Sequence, residues 1–356
     1  MEDIIRSAMV SSKPAAKVAD DSETIKISVI GVGGGGNNTI NRLVRLGVKG
    51  ATLIALNSDR QHLNTVDEAI QKILIGKSVT KGLGCGGFPE VGAKCAEVDR
   101  AAIENAIRGS HLVFICAGMG GGTGTGASPV VAQIAREQGA IVVAMVTFPF
   151  ALERARVMKA ENGIAAMHEN CDSVIILDNN RLVQLVPNLP MNQAFLVADE
   201  ILAKAIDGLV FTITQPSLVN IDFADVKAVM GQGQVGMIAV GTGKGTNKVE
   251  DAVNSVKTNR LLDVDFAGAK GGLIHIAGGA DLTLGDAIRA GEMLTEEMDP
   301  RASVKWGARL MPELDGVLEI TAIITGVSSP HITGRGSSTS KTVKKESNYG
   351  DIEVIG

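Results

Sequence analysis

The sequence predicts an α/β protein in which a parallel, doubly wound domain is joined by a long central helix to a smaller α/β domain with a mixed sheet. Three observations predict it. Buried-strand patterns alternate with helix-period segments between Thr24 and Leu177, an order that yields parallel strands linked by right-handed crossovers. One long apolar helical pattern over 192–214 then runs to just before Pro216, where a helix is expected to stop. The chain is 356 residues long, more than one ordinary core accommodates.

Residues 1–24 are dominated by Ser, Lys, Asp and Ala without an apolar period, and a disordered N-terminal tail is expected there. Ile25 to Val32 alternates and then turns wholly apolar, as a buried parallel strand does. It runs into Gly33 to Gly36, and a helix is expected over 38–46. Further strands are predicted at 51–56, 112–117, 141–147 and 173–177, with helices at 127–138 and 152–168. In the central pattern Phe195, Val197, Ile201, Leu202, Ile206 and Leu209 supply the apolar face. Beyond it the order changes: a helix at 223–230, a strand at 235–240, a helix at 248–258, then strands at 273–277, 304–310 and 317–326 around a helix at 283–298. The expected division is a first domain over 25–191, a central helix over 192–215 and a second domain over 216–327. A flexible Ser, Thr, Gly and Lys-rich linker follows over 328–347, and apolar residues return in a C-terminal peptide over 348–356.

Composition excludes several classes. Lys plus Arg (34) against Asp plus Glu (39) leaves a formal charge of -5, and no basic block is present to neutralise a phosphate backbone, so nucleic acid is not an expected partner. No apolar run approaches the roughly 18 residues of a membrane span, and the polar N-terminus lacks the core of a signal peptide. Direct membrane insertion is not expected, and the cytoplasm is the expected location. Cys85, Cys95, Cys116 and Cys171 are widely separated, which suggests neither a zinc ribbon nor a disulfide framework; they read as reduced core thiols. No metal-ligating cluster is predicted. Glycine, at 43 residues, lies well above the usual ~7% and is concentrated in a few loops.

The first such loop, Gly31-Val32-Gly33-Gly34-Gly35-Gly36-Asn37-Asn38, contains a G-x-G-x-x-G spacing, a weak signal alone. Physically it lets unobstructed backbone N–H groups approach an anion at a helix N-terminus. A second loop, Gly118-Met119-Gly120-Gly121-Gly122-Thr123-Gly124-Thr125-Gly126, follows another predicted strand and again opens onto a helix. Two phosphate cradles on neighbouring strands point to a polyphosphate. A nicotinamide dehydrogenase would use one loop with an acidic residue such as Asp59 for the ribose, leaving the second idle. The usual P-loop is missing, because Gln71 stands where the leading glycine before Gly76-Lys77-Ser78 belongs, and no lysine lies in either cradle.

Gly120 to Gly126 reads G-G-G-T-G-T-G, the signature of the tubulin superfamily. With Ala55-Leu56-Asn57-Ser58-Asp59 and Gly84-Cys85-Gly86-Gly87-Phe88-Pro89-Glu90-Val91-Gly92, the chain resembles the FtsZ family of prokaryotic cell-division GTPases from about Ile25 to Gly326. The resemblance implies a tubulin/FtsZ-like fold that binds GTP and GDP. It places Gly34, Gly35, Gly36, Asn37 and Asn38 against the nucleotide, and Gly121, Gly122, Thr123, Gly124 and Thr125 around its phosphates. Glu153 and Arg156, after Phe148-Pro149-Phe150, fall where the family holds ribose and phosphate, with Arg154 the alternative to Arg156. Asn179 matches a guanine-reading position, and Phe195 and Asp199 lie where the family stacks and hydrogen-bonds the base. An ionised carboxylate only accepts, and guanine offers N1–H beside an amino group, so guanine is expected over adenine.

Asn220-Ile221-Asp222-Phe223-Ala224-Asp225 opens the first helix after the spine. In isolation Asp222 reads as an N-cap and Asp225 as a favourable first-turn charge. The resemblance makes this the synergy loop, which enters the nucleotide pocket of the next subunit, so Asn220, Asp222 and Asp225 are the expected catalytic residues. It also implies Mg²⁺ on the β- and γ-oxygens and head-to-tail homopolymers forming a ring at midcell. A heterologous, open-ended contact builds such filaments. Two other readings remain: an oxidoreductase using the first loop alone, and a filament-forming paralogue with little turnover. The tail implies membrane-tethering and division proteins as partners, although 349–356 does not match the Pro-containing, basic peptide of bacterial members, a departure that suits an archaeal or divergent paralogue.

Overall fold

A computed structural model describes residues 25–181, 188–214, 222–230, 234–258 and 267–327. The expectations for the two tails, for Asn220 and for Pro216 lie outside these residues. Six strands form the first sheet: β1 (Ile27–Val32), β2 (Ala51–Asn57), β3 (Gln71–Leu74), β4 (Leu112–Gly118), β5 (Ile141–Phe148) and β6 (Ser173–Asp178). They run parallel in the order β3-β2-β1-β4-β5-β6. The order reverses between β1 and β4, and in open α/β sheets ligands bind outside the carboxyl ends of the strands at such a point.

Alternation along the buried strands divides the core between the two faces. Ile27 and Val29, Leu112 and Phe114, and Ile141 and Val143 pack on one side with α1 (Gly33–Leu46) and α8 (Met191–Thr214). Ile30 and Val32, Val113 and Ile115, and Val142 and Ala144 pack on the other. That second face is covered by α4 (Pro89–Val98), α5 (Arg100–Ile107), α6 (Thr123–Glu137) and α7 (Arg154–Asn170).

The first core continues past α8 into the second part of the chain, through Val226, Val253, Ile274 and Ile323. Here α9 (Phe223–Met230), β7 (Gln234–Lys244), α10 (Lys248–Lys257), β8 (Gly271–Gly278), α11 (Leu284–Thr295), β9 (Ser303–Leu310) and β10 (Val317–Thr325) follow one another. The sheet is mixed: β10 pairs antiparallel with β7 and β8, and β8 pairs parallel with β9. Among the described residues, Ser173–Gln234 and Val174–Val235 join β6 to β7.

Both glycine-rich segments depart from expectation in one respect. Helix α1 begins at Gly33 instead of Asn38, and α6 begins at Thr123 instead of Ala127. Poor helix propensity of glycine is overridden by tertiary contact, because a Cβ on Gly36 would overlap the Cys116 carbonyl of β4. Short elements that the sequence reading left unassigned lie between β2 and β4: α2 (Arg60–Leu63), β3, α3 (Lys77–Thr80), α4 and α5. Gly92, the last residue of the second motif that carries the resemblance, lies within α4. All four cysteines are buried and free, as expected. Among the described residues no helix is long and apolar enough to cross a membrane.

Candidate functional site

Both glycine segments leave the carboxyl ends of the two strands at the switch point. The chain leaves β1 through Gly33 at a φ of 71°, a left-handed conformation suited to glycine, and a Cβ there would come within 2.9 Å of the Gly124 backbone nitrogen. The two segments therefore touch, and side chains at these positions would separate them. Neither α1 nor α6 has a capping side chain or an acidic residue in its first turn, so their first N–H groups and positive dipole ends are open to an anion. A Cβ on Gly121 would meet nothing within 4 Å, which leaves open space in front of the second turn.

Polar side chains fix these turns from behind. The Gly120 N–H donates to Thr125 Oγ1 at 2.8 Å, and the Thr123 and Ser58 hydroxyls lie 2.7 Å apart. Asn37 is fully buried. With its amide turned to suit its neighbours it donates to the Gly31 and Gly33 carbonyls and accepts from Asn57 Nδ2, so its side chain shapes the turn. Glu153 and Arg156 form an ion pair at 2.7 Å, and the Arg156 Cβ packs beside Gly120.

Next to the cradles, a cavity of about 290 Å³ is lined by Gly35, Asn38, Ala117, Asn179, Phe195 and Asp199, together with Thr39, Met145, Thr147, Ala198 and Leu202. One opening thus gathers residues from the first glycine turn, the end of β6 and the start of α8. Phe195, partly exposed, meets Phe150 edge to face at 5.8 Å between ring centres. Asp199 accepts from the Thr39 hydroxyl at 3.0 Å. Burial pushes its carboxyl up to about 6, with the Thr39 hydrogen bond and the Arg42 charge acting the other way.

Sequence reasoning missed Thr39, whose hydroxyl also reaches the Gly35 carbonyl one turn back; that spacing was its only signal. Asn180 was missed too. It accepts from the Ala151 N–H at 2.8 Å and donates to Asp178 at 2.7 Å, tying the segment after β5 to the end of β6.

The predicted acidic residues lie elsewhere in the same chain. Asp222 caps α9, its Oδ1 accepting the Asp225 N–H at 2.7 Å, and Asp225 pairs with Lys305 at 2.8 Å. Phe223, between them, packs edge to face on His111 at 5.9 Å. His111 directly precedes β4, whereas Ala117 at the far end of that strand lines the cavity. At ~3.3 Å per residue the seven residues of β4 place the acidic turn and the cavity about 20 Å apart, at opposite ends of that strand.

Glycine turns at two helix starts, joined to a cavity of mixed polar and apolar lining that holds one carboxylate, define a nucleotide-binding α/β protein. Residues 26–187 match the GTPase domain of the tubulin/FtsZ family and residues 233–328 match the FtsZ family C-terminal domain. Cell division protein FtsZ 2 of Methanocaldococcus jannaschii is 52% identical over 97% of this chain and 91% of its own length. Cell division protein FtsZ 2 of Haloferax volcanii is 48% identical over 97% and 87%. An empty FtsZ dimer from M. jannaschii superposes with a TM-score of 0.80 at 41% identity, covering 91% of this chain and 92% of that one. The chain belongs to the FtsZ family of cell-division GTPases. It is a tubulin-like GTPase that binds GTP and GDP.

Proposed function

We propose that this GTPase assembles head to tail into filaments of the division ring at midcell, and that each nucleotide is hydrolysed only when the acidic turn of the next subunit closes the cavity. One observation carries the reading: the cavity and Asp222–Asp225 lie at opposite ends of β4, so one chain holds both halves of a site but cannot bring them together. A translation that sets one end on the other joins them, and repeats without closure.

In this reading Phe195 stacks on the base while Asn179 and Asp199 read its edge, and the guanine donors N1–H and N2–H replace the hydration that Asp199 loses on burial. Gly34 to Asn38 and Gly121 to Thr125 present backbone N–H groups to the phosphates, flanked by Glu153 and Arg156. The donor set fits a triphosphate: the cradles are uncluttered, lack acidic residues and have open space beside Gly121. Among the described residues no group of three or more His, Cys, Asp or Glu side chains is placed to hold a cation. Bound with a triphosphate between the two glycine turns, Mg²⁺ would supply positive charge beside the leaving group. Asp222 and Asp225, with Asn220 before them, orient a water for attack on the γ-phosphate of the subunit below.

The segment before α4 supports a switch. Gly84 N–H donates to the Ser58 carbonyl at 3.1 Å, Lys159 Nζ donates to the Gly87 carbonyl at 2.6 Å, and Cys85 and Phe88 press on Gly122. Leu83 and Phe88 of this segment are exposed beside the second turn, where a docking subunit would cover them. Loss of the γ-phosphate loosens the turn and with it this surface. The C-terminal tail is assigned to membrane-tethering and division partners.

The test is Asp225→Ala. Turnover per assembled chain is expected to fall by about 10²-fold or more while the dilute chain binds GTP as before. Survival of turnover contradicts the role assigned to Asp225.

A further inference from the structure

We propose that Lys305 is a positioning residue for hydrolysis: it holds Asp225 in the orientation, and at the net charge, that the neighbouring subunit's site requires. The inference rests on the reading of Asp225 as an acid supplied in trans. Lys305 lies on β9, against which α9 packs, and its ammonium meets Asp225 Oδ1 at 2.8 Å with both side chains partly exposed. It is thus presented on the same surface as the acidic turn.

Each carboxylate of the turn has a different job. Asp222 is engaged as the cap, its Oδ1 accepting the Asp225 N–H, so its geometry is fixed by the helix it starts. Asp225 has no such backbone anchor among the described residues, where Lys305 is the partner of its carboxylate, at Oδ1. Without that contact the short side chain is free to change rotamer, and a water-orienting group must be held within a fraction of an ångström.

Charge gives the second argument. Two carboxylates advancing on a polyphosphate bring like charges together, and the energy grows as the contact is desolvated. Neither glycine turn contains a lysine or arginine. Lys305 halves the negative charge that arrives with α9. The hydrogen bond and the field of Asp225, with Asp222 adding, hold the Lys305 ammonium above its ordinary range, so it stays cationic at neutral pH. An exposed ion pair contributes little in the free subunit, whereas in a closed interface the same pair is screened far less.

The experiment compares Lys305→Ala and Lys305→Arg with the parent, above the assembly threshold and in dilute form. The alanine variant is expected to lower kcat per assembled chain about tenfold, the loss of one charge-assisted hydrogen bond, with GTP affinity of the dilute chain and thermal midpoint unchanged. Arginine should restore kcat to within about threefold, since it keeps the charge and a donor. An alanine variant with full kcat overturns the proposal, as does an arginine variant no better than alanine. A change confined to the assembly threshold overturns it too, because that assigns Lys305 to docking alone. Asp225→Ala in the same assay separates the two ideas: if it stays active the trans reading fails, and if it is dead while Lys305→Ala is fully active only the role of Lys305 fails.

Discussion

On the proposed reading Asp199 joins stability to specificity in one side chain. Its carboxyl is pushed up to about 6 by burial, whereas an aspartate of the unfolded chain titrates near ~3.9. Between roughly pH 4 and 6 the folded chain therefore binds more protons than the unfolded one, and stability rises as pH falls through that window. Above it, the ionised group costs the fold on the order of 3 kcal/mol. Asp199→Asn is accordingly expected to raise the thermal midpoint of the nucleotide-free chain at pH 7.5 and to lose that advantage at pH 4.5. GTP affinity should drop about tenfold or more, because the amide presents a donor where guanine also donates. In the parent, GTP affinity should weaken from pH 7.5 to pH 5 as the carboxylate takes up its proton. Calorimetric unfolding and equilibrium binding on dilute protein check both; an unchanged affinity in Asp199→Asn removes Asp199 from the base-reading role. The placement of Phe195 and Asp199, four apart on one helix, beside the glycine turns was legible through the family resemblance. Thr39 was not, since a threonine inside a helix carries no mark of the carboxylate that approaches it from α8.

The glycine turns are not uniform, and the differences are testable element by element. Gly36 lets α1 lie against β4, where a Cβ would overlap the Cys116 carbonyl, whereas Gly121 faces open space. Gly36→Ala is expected to destabilise the fold by about 1–3 kcal/mol through overpacking. Gly121→Ala should leave stability within about 0.5 kcal/mol and weaken GTP binding, since its methyl group enters the cradle. Denaturant unfolding and GTP titration of the two variants distinguish these roles; equal effects on stability would show that Gly121 is also a packing glycine. The same contact explains why the helix starts were misplaced. Local propensity puts glycines outside a helix, and only the strand behind them draws them in. Five strands of the first sheet, β1, β2, β4, β5 and β6, were readable because their apolar runs are long and largely buried. The segment from α2 to α5 was not, because four-residue elements such as α2, β3 and α3 hold too few residues for a period to show, and Gly84 to Gly92 resembles a loop in composition.

At the scale of the whole molecule the polarity of the first sheet is the organising feature. Parallel strands send both glycine turns to their carboxyl ends, and α9 sets its acidic turn against His111 at the other end of β4. The central helix binds the two ends into one body: its 24 residues, about 36 Å at 1.5 Å per residue, start at the cavity and lead toward the second sheet through a continuous core. The division into a parallel and a mixed part was legible in the changed order of strands and helices. The pairing of β6 with β7 was not, because two strand residues leave no imprint on a periodic pattern. GTP turnover per chain, measured across protein concentrations with the degree of assembly followed by light scattering or sedimentation, tests the account most directly. Turnover should stay near zero below a threshold and climb steeply above it, in step with assembly; dilute, demonstrably monomeric chains that hydrolyse GTP at the same rate per chain would contradict a site divided between two subunits.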